Sequence, residues 1–211
     1  MDVSYHREEK LNALTHGLGI LMGLLGFILL WDRQPNGSGY SAFSVVVYSC
    51  SIILLFTAST LYHSVNLKEL KSKLRILDHI SIYYLIAGTY TPVALITLIN
   101  GNGWLIFYLI WALALGGTCL KIFFTGRFEI FSLLLYLIMG WMIVFDLTNL
   151  IENTSGRGLF LIFLGGAFYT VGIFFYVVRK IPYNHLIWHI FVLGGAFSHW
   201  MYIYLDVIPQ H

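Results

Sequence analysis

The sequence predicts an all-α membrane protein, a bundle of seven transmembrane helices. Of its 211 residues, 58% are hydrophobic and only 10% are charged, and the mean hydropathy is +0.78. The apolar residues fall into blocks that are each close to the ~20 residues a helix needs to span a bilayer. The seven blocks are 12–31, 41–63, 76–99, 104–124, 130–150, 158–178 and 185–205. Short polar segments separate the blocks, so residues 1–211 are expected to form a single domain.

Lysine and arginine indicate the orientation of the bundle. Ten of the 12 lie in the N-terminal tail and in alternate loops, and only Arg33 and Arg157 lie on the other side. Because cytoplasmic loops carry the excess of positive charge, we expect a cytoplasmic N-terminus and an external C-terminus in the plasma membrane. The topology accounts for the positive charges, and no nucleic-acid partner is indicated. The first ten residues lack the pattern of a secretory signal, so the first helix is expected to remain as an anchor.

Two histidines at the start of the last block, His185 and His189, predict half of a metal site. Residues four apart on a helix lie about 40° apart around the axis and roughly 6 Å along it, so their side chains can share one ligand. His199 lies on a similar face but about 21 Å further along the helix, so we assign it to packing or to an outer polar cluster. The other half of the site must come from other helices.

His63 and Asp78 are the candidates for that other half. The predicted topology places both at the cytoplasmic ends of their helices, at the depth of His185 and His189, although the sequence leaves lateral neighbours open. A structural histidine at the interface and a helix N-terminal acid favoured by the dipole are the alternative interpretations. Against them stands the cost of ionisable groups at membrane depth. Three imidazoles with an open position are a common catalytic zinc set, and a nearby carboxylate can orient or deprotonate the water there.

Further polar residues near this depth have less definite roles. Ser59 lies one turn from His63 on the same helix face. His16 shares a face with Asn12, and either interhelical hydrogen bonding or support of the site would explain it. His79 points about 100° away from Asp78, so the two are not expected to face one ligand. The fourth, fifth and sixth blocks carry few ionisable groups and are expected to be scaffold.

These residues resemble the motif set of the haemolysin III and progestin/adiponectin receptor (PAQR) family, in the same order on seven helices. The matching patterns are Glu9-x2-Asn12-x3-His16, Ser59-x3-His63, Leu77-Asp78 and His185-x3-His189. The short tail and loops are similar to the bacterial haemolysin III branch. The resemblance implies a zinc ion held by His63, His185 and His189, with Asp78 contacting the water on the metal and Ser59 beside it. It also implies kinship with alkaline ceramidases, which cleave lipid amides.

Two classes of function follow. The first is a zinc-dependent hydrolase of a membrane lipid amide or ester, with Asp78 as general base and then acid and Ser59 as a donor to the oxyanion. The second is a non-enzymatic role, either a zinc-stabilised sensor of the membrane or a cytolytic pore of the haemolysin type. A pore would need a water-filled path lined with charges, and the outer halves of these helices offer few. Membrane lipids are the expected substrate or ligand in the first class.

Overall fold

A computed structural model describes residues 3–34, 39–124 and 128–210, and these residues are helical with short connections. Seven helical stretches are long and apolar enough to cross a membrane, which confirms the predicted all-α, seven-helix class. The helices are α1 (Val3–Arg33), α2 (Ser41–Ser64), α3 (Lys68–Pro92), α4 (Gly103–Phe124), α5 (Glu129–Gly140), α6 (Leu147–Glu152), α7 (Gly156–Val177) and α8 (Asn184–Tyr202). Helices α5 and α6 form the two parts of the fifth membrane-crossing stretch. The orientation of the bundle across the membrane stays a prediction.

Helix α3 lies at the centre of the bundle. In the most apolar window of its stretch 78% of the residues are buried, against 17% for the stretch of α7. Leucines on α1 such as Leu14, Leu18 and Leu21 are exposed instead, as expected of side chains that face lipid hydrocarbon. Gly19 and Gly23 let α1 approach α2, because a Cβ at these positions would lie 2.6 Å from the ring of Phe56 and 2.9 Å from Ile52.

Two helix boundaries differ from the apolar blocks. Helix α1 begins at Val3 and α3 begins at Lys68, whereas the blocks begin at 12 and 76. The basic segment between the second and third apolar blocks, from Lys68 to Arg75, therefore forms the first two turns of α3. An apolar block marks the part of a helix that hydrocarbon surrounds, and charged residues can extend the same helix into the interface.

Two interruptions shape the interior. After Pro92 the chain forms a π-helical turn over Val93–Thr97, where the Leu98 N–H donates to the carbonyl oxygen of Val93 at 2.9 Å. The fifth stretch changes from α5 to a 3₁₀ segment at Met142–Asp146 before α6. Such breaks persist at membrane depth where protein groups satisfy the freed backbone.

Candidate metal centre and adjoining cavity

The last turn of α2 and the first two turns of α8 bring three histidines together. His63, His185 and His189, here called the three-histidine cluster, each offer a ring nitrogen, and these nitrogens lie within 4.8 Å of one another. The ring centroids are 4.8–5.0 Å apart. His63 and His189 are buried, with 5% and 2% of their surfaces exposed, and His185 is half-buried. The lateral contact between α2 and α8 that the sequence left open is therefore present.

Hydrogen bonds indicate which nitrogen of two rings is free. Nδ1 of His63 lies 3.2 Å from Oε1 of Glu9, and Nδ1 of His189 lies 3.3 Å from the carbonyl oxygen of Asn12. Carboxylate and carbonyl oxygens accept hydrogen bonds, so each Nδ1 donates and each Nε2 carries the lone pair. Nε2 of His63 is buried and has no hydrogen-bond partner among the described residues. A bound metal ion would satisfy that atom.

This donor set fits a zinc ion. Three neutral imidazoles leave a fourth, open position, as in many catalytic zinc sites. A tetrahedral ion with Zn–N bonds of about 2.0–2.1 Å holds its nitrogen ligands about 3.4 Å apart. The ring nitrogens of the cluster are at most 4.8 Å apart, so binding would shorten each nitrogen–nitrogen distance by at most about 1.4 Å.

Asp78 and Ser59 lie beside the cluster. The carboxyl group of Asp78 on α3 and the hydroxyl group of Ser59 on α2 are close to each other, and both residues are buried, 8% and 1% exposed. Both line one cavity together with His185 and His189. The hydroxyl of Ser59 forms no hydrogen bond of normal geometry within the described chain. Two polar groups at the cluster are thus available to a ligand in the cavity.

The cavity runs away from the cluster toward the opposite end of the bundle. Its volume is about 100 Å³, and it extends from Asp78 and His185 to His199. Along α8 these two histidines are separated by about 21 Å at a rise of 1.5 Å per residue. Leucine, isoleucine and valine side chains form its middle: Leu55, Ile82, Leu85, Ile86, Leu137 and Val192. A long, mostly apolar cavity with a polar end can hold an extended apolar chain that carries one polar group.

The wall of the cavity contains residues beyond those predicted for the site. The fifth and sixth stretches, which together with the fourth are expected to be scaffold, also contribute Tyr136, Trp141 and Thr170 to the wall of the cavity. His79 also lines it together with Asp78, because the cavity is wide enough to meet both faces of α3. His199 lies at the far end, as its distance along α8 requires, with Nε2 3.1 Å from the carbonyl oxygen of Ile162.

Sequence reasoning missed two sets of polar contacts. Glu9 contributes a carboxylate to His63, although an acid in the first helical turns carries no mark of that role. Lys121 is buried at 3% exposure and its ammonium group lies 2.9 Å from Oε2 of Glu129, whose Oε1 contacts Arg75 at 3.2 Å. The position of Lys121 near the end of an apolar block, eight residues before an acid, was the available indication.

Comparison with known proteins identifies the family of this chain. A family model described as "Haemolysin-III related" matches residues 4–200. The chain is 44% identical over 191 residues to "Hemolysin-3 homolog" of Bacillus subtilis (strain 168), which covers 90% of each chain. It is 43% identical over 204 residues to "Hemolysin-3" of Bacillus cereus, covering 96% of this chain and 93% of the relative. A human relative, "Monocyte to macrophage differentiation factor", is 29% identical over 209 residues, with 93% and 85% covered. The chain therefore belongs to the haemolysin-III related family of multi-pass membrane proteins.

Proposed function

We propose that this protein is a zinc-dependent hydrolase of a membrane lipid amide or ester, with a role in membrane lipid homeostasis. One observation carries the proposal: His185 and His189 of the three-histidine cluster line the polar end of a long apolar cavity whose wall also contains Asp78 and Ser59. Apolar pockets with a few convergent polar groups are the usual form of a site for an amphipathic small molecule. The positive-inside bias would put this polar end near the cytoplasmic face of the plasma membrane.

The three-histidine cluster would hold the metal through three ring nitrogens. A zinc ion there would supply Lewis-acid chemistry, polarising a substrate carbonyl and making water a stronger acid. The buried Nε2 of His63, without a hydrogen-bond partner in the described chain, supports this assignment. The neutral imidazole is the form of histidine that binds metals.

Asp78 would act as general base and then as general acid. As water attacks the carbonyl carbon, the new carbon–oxygen bond forms and the water's proton passes to the Asp78 carboxylate. The substrate's carbon–nitrogen bond, or carbon–oxygen bond in an ester, then breaks as Asp78 returns that proton to the leaving amine or alcohol. The products are a fatty acid and the amine or alcohol. Ser59 would donate its hydroxyl hydrogen to the oxyanion.

The shape of the cavity suggests which part of the lipid it receives. The acyl chain would occupy the apolar middle, and the amide or ester group would lie at Asp78 and Ser59. A water-filled pore is disfavoured because the middle of the cavity is lined by aliphatic side chains. The competing role is a sensor in which zinc only ties α2 to α8, an interpretation that rests on the position of the cluster between these two helices.

Asp78→Asn separates the hydrolase from the sensor. The three imidazoles remain, so the variant should keep its zinc and its fold, whereas loss of the proton acceptor should lower hydrolysis by about 10²–10⁴-fold. We would compare zinc content, thermal stability and release of fatty acid from a ceramide-like amide and from an ester. The matched control is Asp32→Asn, which removes a carboxylate from an exposed position of α1. Equal release by wild type and Asp78→Asn would remove Asp78 from the mechanism, and no release by wild type would favour the sensor.

A further inference from the structure

The first helix carries a motif to which the proposed hydrolysis gives no role. Glu9, Asn12 and His16 are spaced at i, i+3 and i+7, which places them on one face of α1. That face is turned toward the three-histidine cluster. Asn12 and His16 are 1% and 3% exposed, although both have polar side chains at membrane depth. Such burial of polar groups is costly unless they have a function or a partner.

Glu9 contacts His63 of α2. Its Oε1 accepts from Nδ1 of His63 at 3.2 Å, and its Oε2 pairs with the ammonium group of Lys71. The side chain of His63 is only 2% exposed, so water cannot readily replace this acceptor. Lys71 also donates to the carbonyl oxygen of Tyr62 at 3.2 Å, which connects α3 to the residue before His63. The carboxylate is thus held between the ring that it orients and a lysine that fixes it.

Asn12 and His16 contact His189 of α8. The carbonyl oxygen of Asn12 lies 3.3 Å from Nδ1 of His189, and the hydroxyl of Thr15 lies 3.4 Å from the same nitrogen. The ring of His16 stacks on that of His189 with centroids 3.6 Å apart and planes inclined by 8°. Stacking on His16 fixes the plane of the His189 ring. The hydrogen bond to the Asn12 carbonyl oxygen fixes the direction of Nδ1 within that plane. Both of the buried cluster histidines are therefore oriented by α1.

We infer that the first helix is the positioning element of the metal centre, with Glu9 as the positioning residue for His63 and the Asn12–His16 turn as the support of His189. This inference rests on the proposed zinc site and assigns a task to residues outside it. A carboxylate that accepts from the non-ligating nitrogen of a histidine fixes the tautomer and makes the ligating nitrogen more basic. Removing such a partner commonly weakens metal binding by about 10–100-fold.

The alternative role for Glu9 is a structural tether. Its ion pair with Lys71 joins α1 to α3 and would stabilise the bundle whether or not a metal is bound. Lys71→Met removes the tether but leaves the carboxylate next to His63. Glu9→Ala removes both interactions. Glu9→Gln keeps the shape and an acceptor oxygen and removes the charge. The three variants therefore distinguish tethering from positioning.

The experiment uses the full-length protein in detergent. Zinc affinity is measured by competition with a chelator, and the visible absorption of the cobalt-substituted protein reports the ligand field at the metal. We expect affinity to fall by about tenfold in Glu9→Gln and by up to about a hundredfold in Glu9→Ala, with an altered cobalt spectrum in both. Lys71→Met should show a smaller loss than Glu9→Ala. The control is Glu8→Gln, which removes the charge of the adjacent residue on α1; Oε1 of Glu8 forms no hydrogen bond to the three-histidine cluster, so the variant should bind zinc like wild type.

Each outcome decides between the proposals. If wild type binds no zinc, the proposed function fails and the inference fails with it. If wild type binds zinc while Glu9→Gln and Glu9→Ala keep its affinity and cobalt spectrum, the inference alone is overturned. Equal losses in Lys71→Met and Glu9→Ala, with unchanged cobalt spectra, would identify the tether and also overturn it. Should Glu9→Ala fail to fold, the isosteric Glu9→Gln still gives the decisive spectrum.

Discussion

The hydroxyl group of Tyr90 holds the interruption in the fifth membrane-crossing stretch, and its removal should be costly. This hydroxyl donates to the carbonyl oxygen of Gly140 at 2.9 Å and accepts from the N–H of Ile143 at 2.8 Å. Both backbone groups lie where α5 ends and the 3₁₀ segment begins, so they lack helical partners. Tyr90 is 7% exposed and Ile143 is 5% exposed. Tyr90→Phe keeps the ring and deletes only the two hydrogen bonds.

The expected loss follows from the fate of those two groups. An unsatisfied buried N–H costs about 1–3 kcal/mol, and the more accessible Gly140 carbonyl loses about 0.5–1.5 kcal/mol. We therefore expect the free energy of unfolding to fall by about 1.5–4.5 kcal/mol. For a chain of this size each kcal/mol lowers Tm by roughly 2–4 °C, so a decrease of about 3–18 °C is expected. Thermal unfolding of purified protein in detergent measures it.

A matched control lies on the same helix. Tyr84→Phe also deletes one hydroxyl, but that hydroxyl forms no hydrogen bond within the described ranges, and its ring contact with Trp111 is kept. Its Tm should stay within about 1–2 °C of wild type, as for surface substitutions that break no specific interaction. If Tyr90→Phe and Tyr84→Phe have the same Tm, the hydroxyl does not stabilise the interruption. A decrease in both would indicate a general loss of polarity at α3 instead.

Two further predictions concern the metal and the membrane. Alanine at any member of the three-histidine cluster should weaken zinc binding by about 10²–10³-fold, because a zinc site of about 10–16 kcal/mol that divides over four ligands loses about 2.5–4 kcal/mol with one of them. His199→Ala should keep the affinity, and normal zinc content in His63→Ala would refute the site. In a chain whose Cys50 and Cys119 are replaced by alanine, a cysteine at Asn100 should react with an impermeant thiol reagent in intact cells and one at Ser72 should not. The reverse pattern would invert the orientation.

The depth of the candidate site could be predicted from the sequence, but its lateral contacts could not. Helix length and the positive-inside rule place His63, Asp78 and His185 at similar heights, because each lies near the end of an apolar block. Which helices are neighbours at that height depends on packing between surfaces. Small residues such as Gly19 and Gly23 indicate a close contact without naming the partner helix. The meeting of α2 and α8 at the cluster needed the structure.

The role of α1 was hidden for a related reason. The contact of Glu9 with His63 joins residues 54 positions apart, and the contact of Asn12 with His189 joins residues 177 apart. The second of these uses a backbone carbonyl, a group that every residue has, so no side-chain pattern could indicate it. Apolar periodicity also starts the first block at 12, which separates Glu9 from the helix that carries it. Charged first turns are easily mistaken for a tail.

The cavity shows why the walls of a site are harder to predict than its chemistry. Histidine and aspartate at membrane depth are rare enough to attract notice, and the structure places Asp78, His185 and His189 on the wall of one cavity. The fifth and sixth stretches contribute tyrosine, tryptophan, threonine and glycine, residues that are also common in lipid-facing or packed surfaces. Trp141 follows the break after Gly140, and its indole N–H donates to Thr170 at 3.1 Å. Because the Tyr90 hydroxyl holds that break, the position of Trp141 in the wall depends on α3, the same helix that supplies Asp78 to the polar end.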